Sequence, residues 1–168
     1  MKIIAVINQK GGSGKTTSAV NLAALFALNN CKTLLIDMDP QANASTYLGI
    51  HETDLVYGKA MENVLIENMP ISSVIRETSI QNLYLAPNHL SFAAPDILFY
   101  EHIARENWAI RLKNALKLVK TNYDYVILDS PPNLGQLSIN CLVAADFVIS
   151  PFNPDEFNLD GIQQLFLT

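Results

Sequence analysis

The sequence predicts an α/β protein built on an open, mostly parallel twisted sheet with helices on both faces. Three observations point there. Residues 3–7, 33–36, 125–128 and 147–149 form short apolar runs without alternation, the pattern of strands buried on both sides. Segments of helical spacing separate them. A glycine-rich turn joins the first strand to the first helix.

Residues 83–86 form a weaker fifth strand candidate. The segment 14–28 is apolar nearly all round, which predicts a helix packed on more than one side and ended by Asn29-Asn30. Residues 107–121 carry Ile110, Leu112, Ala115, Leu116, Leu118 and Val119 mostly at helical spacing, with Trp108 as a packing anchor. Residues 134–145 and 159–167 are two further helix candidates. The last starts as a helix and stops without a capping glycine or polar tail, so the chain reads as one domain, 1–168, cut within an α/β fold.

Composition narrows the function classes. Of the 168 residues, 49% are hydrophobic and 16% charged, the balance of a globular chain rather than a disordered one. No apolar run is long enough to cross a bilayer, and Met1–Ile7 is too short for a signal peptide. A cytoplasmic protein without a membrane partner is expected. The net charge of −5 does not advertise nucleic-acid binding by the chain as a whole. Cys31 and Cys141 lack metal-ligand spacing and are expected as buried, reduced thiols. His51, His89 and His102 show no ligand spacing either. Lys113, Lys117 and Lys120 share one helix face near Arg111, read as a solvated face with a minor DNA-facing patch as the alternative.

The chemistry lies in Gln9-Lys10-Gly11-Gly12-Ser13-Gly14-Lys15-Thr16-Thr17. It follows the phosphate-binding pattern G-x-x-x-x-G-K-[ST], except that Gln9 replaces the first glycine. Glycines let backbone N–H groups approach an anion, and the helix starting near Gly14 adds its positive dipole end. Lys15 supplies a point charge to the β- and γ-phosphates, Thr16 a hydroxyl to Mg²⁺, and Thr17 is placed to reach the α-phosphate. Gly11, Gly12, Ser13, Gly14, Lys15, Thr16 and Thr17 are thus the expected contacts of a nucleoside triphosphate with Mg²⁺. Asp37 and Asp39 sit where a strand ends, which is where ligands bind in open α/β sheets. The competing reading makes them turn carboxylates. Asp129 has the same choice, whereas Asp124 precedes its strand and reads as a turn residue.

The run Lys-Gly-Gly-x-Gly-Lys-Thr-Thr resembles the deviant Walker A loop of the ParA/MinD group of ATPases, a branch of the P-loop NTPases. Leu34-Leu35-Ile36-Asp37-Met38-Asp39-Pro40-Gln41-Ala42-Asn43-Ala44-Ser45 is similar to the second nucleotide motif of its ParA/Soj branch. Tyr123 through Gly135 is similar to the Walker B strand and the following switch, and Phe157 through Leu165 to a later helix. The resemblance implies that Lys10 reaches the phosphates held by a second subunit, and that Gly11 lets two subunits meet face to face. It implies that Asp39 positions the attacking water, Asp129 holds Mg²⁺ through water, and Asp37 supports the metal shell. Pro131-Pro132 would belong to a switch that senses the γ-phosphate. Ser13 stands where the family has a small apolar residue, a change expected to matter little.

On this resemblance the expected function is slow, partner-stimulated ATP hydrolysis driving chromosome or plasmid partition. The partners implied are a second copy in an ATP-dependent homodimer, a ParB-like stimulatory protein, and non-specific DNA bound by residues largely beyond this chain. Nucleoid association would follow. The alternatives are a nucleotide-binding switch or scaffold without useful hydrolysis, and a MinD-like positioning ATPase, against which Asp39-Pro40-Gln41 argues.

Overall fold

The computed structural model describes residues 1–51, 54, 59–89 and 108–152. Its strands are β1 (Lys2–Val6), β2 (Thr33–Asp37), β3 (Arg76–Glu77), β4 (Leu83–Ala86), β5 (Tyr125–Asp129) and β6 (Phe147–Ile149). They form one sheet in the order β3-β4-β2-β5-β1-β6. Every neighbouring pair is parallel except β3 with β4. The open, mostly parallel sheet is therefore as expected. β3 was not foreseen, because two charged residues carry no strand pattern.

The helices are α1 (Lys15–Leu28), α2 (Asn43–Tyr47), α3 (Met61–Ile66), α4 (Arg111–Lys117) and α5 (Gln136–Ala144). Alternate strand residues serve opposite faces of a sheet. Ile3, Ala5, Leu34, Ile36, Val126 and Leu128 share one core with Met61, Leu65, Leu112, Leu116 and Cys141. Ile4, Val6, Leu35 and Ile127 share the other with Ala19, Ala23, Ala27 and Ala44. Thus α3, α4 and α5 cover one face, and α1 and α2 the other.

Some local expectations need correction. The first helix packs with one narrow face, not all round. Ala19, Ala23 and Ala27 are fully buried, while Leu25 is 57% and Leu28 70% exposed. Three alanines at i, i+4 spacing bring the helix axis close to the sheet and leave the larger residues at its flanks. Asn29 and Asn30 do end it, Asn30 at φ 62°. The helix predicted over 107–121 is shorter. A 3₁₀ turn, Trp108–Ile110, leads into α4. Past Lys117 the backbone tightens into i→i+3 bonds from Leu118, Val119 and Asn122, which turn Val119 and Tyr123 into the core. Lys113, Lys117 and Lys120 are all exposed.

Trp108 is 4% exposed, with the Arg111 guanidinium 4.8 Å from its ring centroid. Cys141 is buried but Cys31 only half-buried, and both are free thiols. Asp124 does serve the turn: its carboxylate accepts the Lys32 N–H at 2.8 Å. The predicted helix over 159–167 and His102 lie outside the described residues.

Candidate functional site at the carboxyl ends of β1, β2 and β5

Strand register creates the site. Val6, Asp129 and Asp37 are aligned across β1, β5 and β2, so the loops leaving these strands converge at one level. The β1–α1 loop needs glycine at two places: Gly12 has φ 73° and Gly14 φ 86°, a region costly for other residues. Gly11 is different. It has no positive φ, and a Cβ there would meet nothing within 4 Å among the described residues. The described fold does not require glycine at that position.

Asn8, which sequence reasoning passed over, anchors the loop. Its Oδ1 accepts the Lys10 N–H at 2.9 Å and its amide donates to the Pro151 carbonyl at 2.7 Å. Lys15 is 6% exposed, and its ammonium donates to the Lys10 carbonyl at 3.0 Å. Burial lowers its pKa, against the opposing pull of Asp129 and Asp39. Lys10 itself is exposed on the loop, as are Gly11, Gly12 and Thr17. Ser13 is buried, and its hydroxyl has no hydrogen-bond partner among the described residues.

The three carboxylates have distinct surroundings. Asp37 is fully buried with both oxygens engaged. Oδ1 accepts the Asp39 N–H at 3.1 Å, and Oδ2 accepts the Ser45 N–H at 2.8 Å and its hydroxyl at 2.7 Å. Desolvation nevertheless pushes its pKa up to about 6. Asp39 is 7% exposed; its Oδ1 accepts the Gln41 N–H at 3.0 Å, and burial raises its pKa while that hydrogen bond and Lys15 lower it.

Asp129 is 0% exposed, yet neither oxygen has a hydrogen-bond partner among the described residues. Desolvation, then Asp37, push its pKa up to about 8, with Thr16 and Lys15 pulling down. The Thr16 hydroxyl is thus near enough to act on this carboxylate without meeting full hydrogen-bond geometry. An orphaned carboxylate beside a hydroxyl and an ammonium fits a hydrated divalent cation.

A cleft of about 420 Å³ gathers these parts. Gly11, Gly12, Gly14, Lys15, Thr16 and Thr17 line one side; Asp39, Gln41, Asn43, Tyr47 and Pro132 line the other. Of the predicted site residues, Asp37 and Asp129 lie below it at the strand ends. Lys10 and Ser13 do not line it either. Tyr47 and Asn43 belong to α2, whose five residues are too few for a periodic signal; Asn43 falls within the second nucleotide motif, whereas the sequence did not reveal Tyr47.

A glycine loop between a central strand and its helix, level with acidic residues on two neighbouring strands, defines a P-loop protein of the open α/β class. A family model described as an AAA domain matches residues 1–168. The sporulation initiation inhibitor protein Soj of Bacillus subtilis is 42% identical over 167 residues, covering 99% of this chain and 64% of that protein. The chromosome partitioning protein ParA of Myxococcus xanthus is 42% identical over 166 residues, covering 98% and 56%. The chain belongs to the ParA/Soj family of partition ATPases, and it spans less than two thirds of the length of these curated relatives. Among solved structures, cobyrinic acid a,c-diamide synthase from Mycobacterium smegmatis with bound ADP and magnesium aligns with a TM-score of 0.90. It is 30% identical and covers 99% of this chain and 66% of that one. One fold thus carries proteins with quite different names.

Proposed function

We propose that this chain binds Mg-ATP in the cleft above β1, β2 and β5 and hydrolyses it as one half of a two-subunit site, in the service of chromosome or plasmid partition. The observation that carries the reading is the Asp129 carboxylate, buried and without a hydrogen-bond partner among the described residues, beside Lys15 and Thr16. The names of Soj and ParA, and the ADP and magnesium in the synthase structure, support the same assignment.

The roles follow from charge and reach. The N–H groups of Gly11 through Thr17 and the start of α1 cradle the phosphates. Lys15 exchanges its bond to the Lys10 carbonyl for the β- and γ-phosphates. Thr16 and Asp129 are the residues that would hold Mg²⁺. The bound ion supplies charge neutralisation as the γ-phosphoryl leaves. Asp39, with one oxygen held by Gln41, turns the other to the attacking water. Asp37 serves this arrangement by holding the loop rather than by facing the cleft. Lys10, exposed at the loop, reaches the phosphates of the second subunit. Gly11 supports that picture, because its missing side chain is unexplained within one subunit. In this reading hydrolysis is slow, a ParB-like protein stimulates it, and the dimer binds DNA non-specifically through segments beyond this chain.

Nucleotide affinity and light scattering test the reading. Lys15→Ala should weaken ATP binding at least about ten-fold, the loss of a charge-assisted contact; unchanged affinity sinks the loop assignment. Asp39→Ala with ATP and Mg²⁺ should double in mass. Adding Gly11→Val to that variant should return it to the monomer mass, and a persistent dimer would rule out face-to-face pairing.

A further inference from the structure

We propose that Asn88, acting with Ser45, is a positioning residue that holds Asp39 in its hydrolytic pose. The inference rests on the ATPase reading above. Asp39 is gripped through its backbone on both sides. Its N–H donates to Asp37 Oδ1 at 3.1 Å, and its carbonyl accepts the Asn88 side-chain amide at 3.4 Å. Ser45 closes the circuit. Its hydroxyl proton goes to Asp37 Oδ2 at 2.7 Å, and its oxygen accepts the Asn88 N–H at 3.1 Å. Asp37, Asp39, Asn88 and Ser45 therefore form a closed ring of hydrogen bonds.

All four are buried, with Ser45 and Asn88 each 1% exposed. The Asn88 amide has one orientation that satisfies its surroundings, because its Oδ1 accepts the His89 N–H at 3.1 Å and its nitrogen is left to donate to Asp39. The Asp39 carbonyl also accepts the Ala42 N–H of its own turn at 2.9 Å, so the Asn88 amide is the second donor on that oxygen and the one that comes from the end of a neighbouring strand. Asn88 lies just past β4, whose Ala86 is in register with Ile36 of β2. The ring thus ties the loop after β2 to the end of the neighbouring strand. Neither Asn88 nor Ser45 lines the cleft, so an effect on turnover passes through the ring, and the Asn88 amide enters that ring at the Asp39 carbonyl.

Steady-state ATP hydrolysis of the whole chain tests this, comparing parent, Asn88→Ala, Asp39→Ala and the double variant. Asn88→Ala should lower kcat about ten-fold, the scale of a small misplacement of a reacting group, and leave KM within about two-fold. It should add nothing in the Asp39→Ala background. A parent-like kcat for Asn88→Ala, or a full further loss in the Asp39→Ala background, overturns the proposal. If Asp39→Ala alone turns over at the parent rate, the role given to Asp39 fails, and the positioning proposal with it. Asn88→Ser, too short to reach the Asp39 carbonyl, should repeat the Asn88→Ala result if the alanine variant folds poorly. Ser45→Thr, which keeps the hydroxyl, should retain more of the parent kcat than Ser45→Ala. A second readout needs no turnover. Amide exchange at Asp39 in the nucleotide-free protein should accelerate in Asn88→Ala, and an unchanged rate there also overturns the proposal.

Discussion

At the residue scale, Asp129 explains the character of the site. A buried carboxylate without a partner costs free energy, and this one sits at the end of the central strand pair. Active sites retain such groups because a ligand repays the cost on binding. Asp129→Asn removes the charge at nearly constant volume. It should stabilise the nucleotide-free protein at pH 8 by about 1–3 kcal/mol, seen as a higher urea midpoint. The same variant should lose the extra stability that Mg-ATP confers on the parent, measured by the same titration. Much of this site was legible in the sequence, since Gly12, Gly14, Lys15, Thr16 and Asp129 stand at motif positions. Asn8 and Asn88 were not legible, and Ser45 was legible only as the last residue of the second nucleotide motif. An asparagine outside a known spacing has no signature, and its meaning comes from bonds to residues remote in sequence, as Asn8 to Pro151 and Asn88 to Asp39.

At the scale of elements, α1 shows how an apolar sequence hides its buried face. Its residues are so uniformly apolar that periodicity does not separate the alanine stripe from Leu25 and Leu28. The stripe is what sets its distance from the sheet. Ala23→Leu should therefore cost about 1–3 kcal/mol through overpacking against the sheet. Leu25→Gln, at an exposed position, should shift stability by less than about 0.5 kcal/mol. Equal losses in chemical denaturation would mean that the helix packs on both flanks after all. β3 and α2 illustrate a related limit. Elements of two and five residues are held by neighbours rather than by their own pattern, so no window of sequence announces them.

At the scale of the whole molecule, the buried carboxylates make stability depend on pH. Asp37 and Asp129 are pushed up to about 6 and about 8, and Asp39 moves the same way, all by burial first. Between the ordinary carboxylate range and pH 8 the folded protein therefore holds more protons than the unfolded chain. Stability is greatest at the acid side of this window and falls as pH rises through it. Lys15, lowered by burial, acts oppositely, favouring the folded state as pH rises toward the ordinary lysine value. The nucleotide-free parent should thus show a thermal midpoint that declines from pH 5 to pH 8. Asp129→Asn should flatten the upper part of that decline. A midpoint that rises over this range would contradict the desolvation that burial imposes on these carboxylates.

The sequence by itself determined the fold class, five of the six described strands, and the chemistry of the loop from Lys10 to Thr17. These are local facts: apolar runs bury themselves, and glycines next to a lysine can do little else at the mouth of a strand. Tertiary structure alone decided which carboxylate is left unpartnered and which is clamped. Asp37 and Asp129 look alike in the sequence, each closing an apolar strand, yet Ser45 and the Asp39 N–H satisfy one and nothing among the described residues satisfies the other. That difference arises from strand order and register, because β5 lies between β1 and β2 and brings Asp129 level with Val6, where the phosphate loop begins.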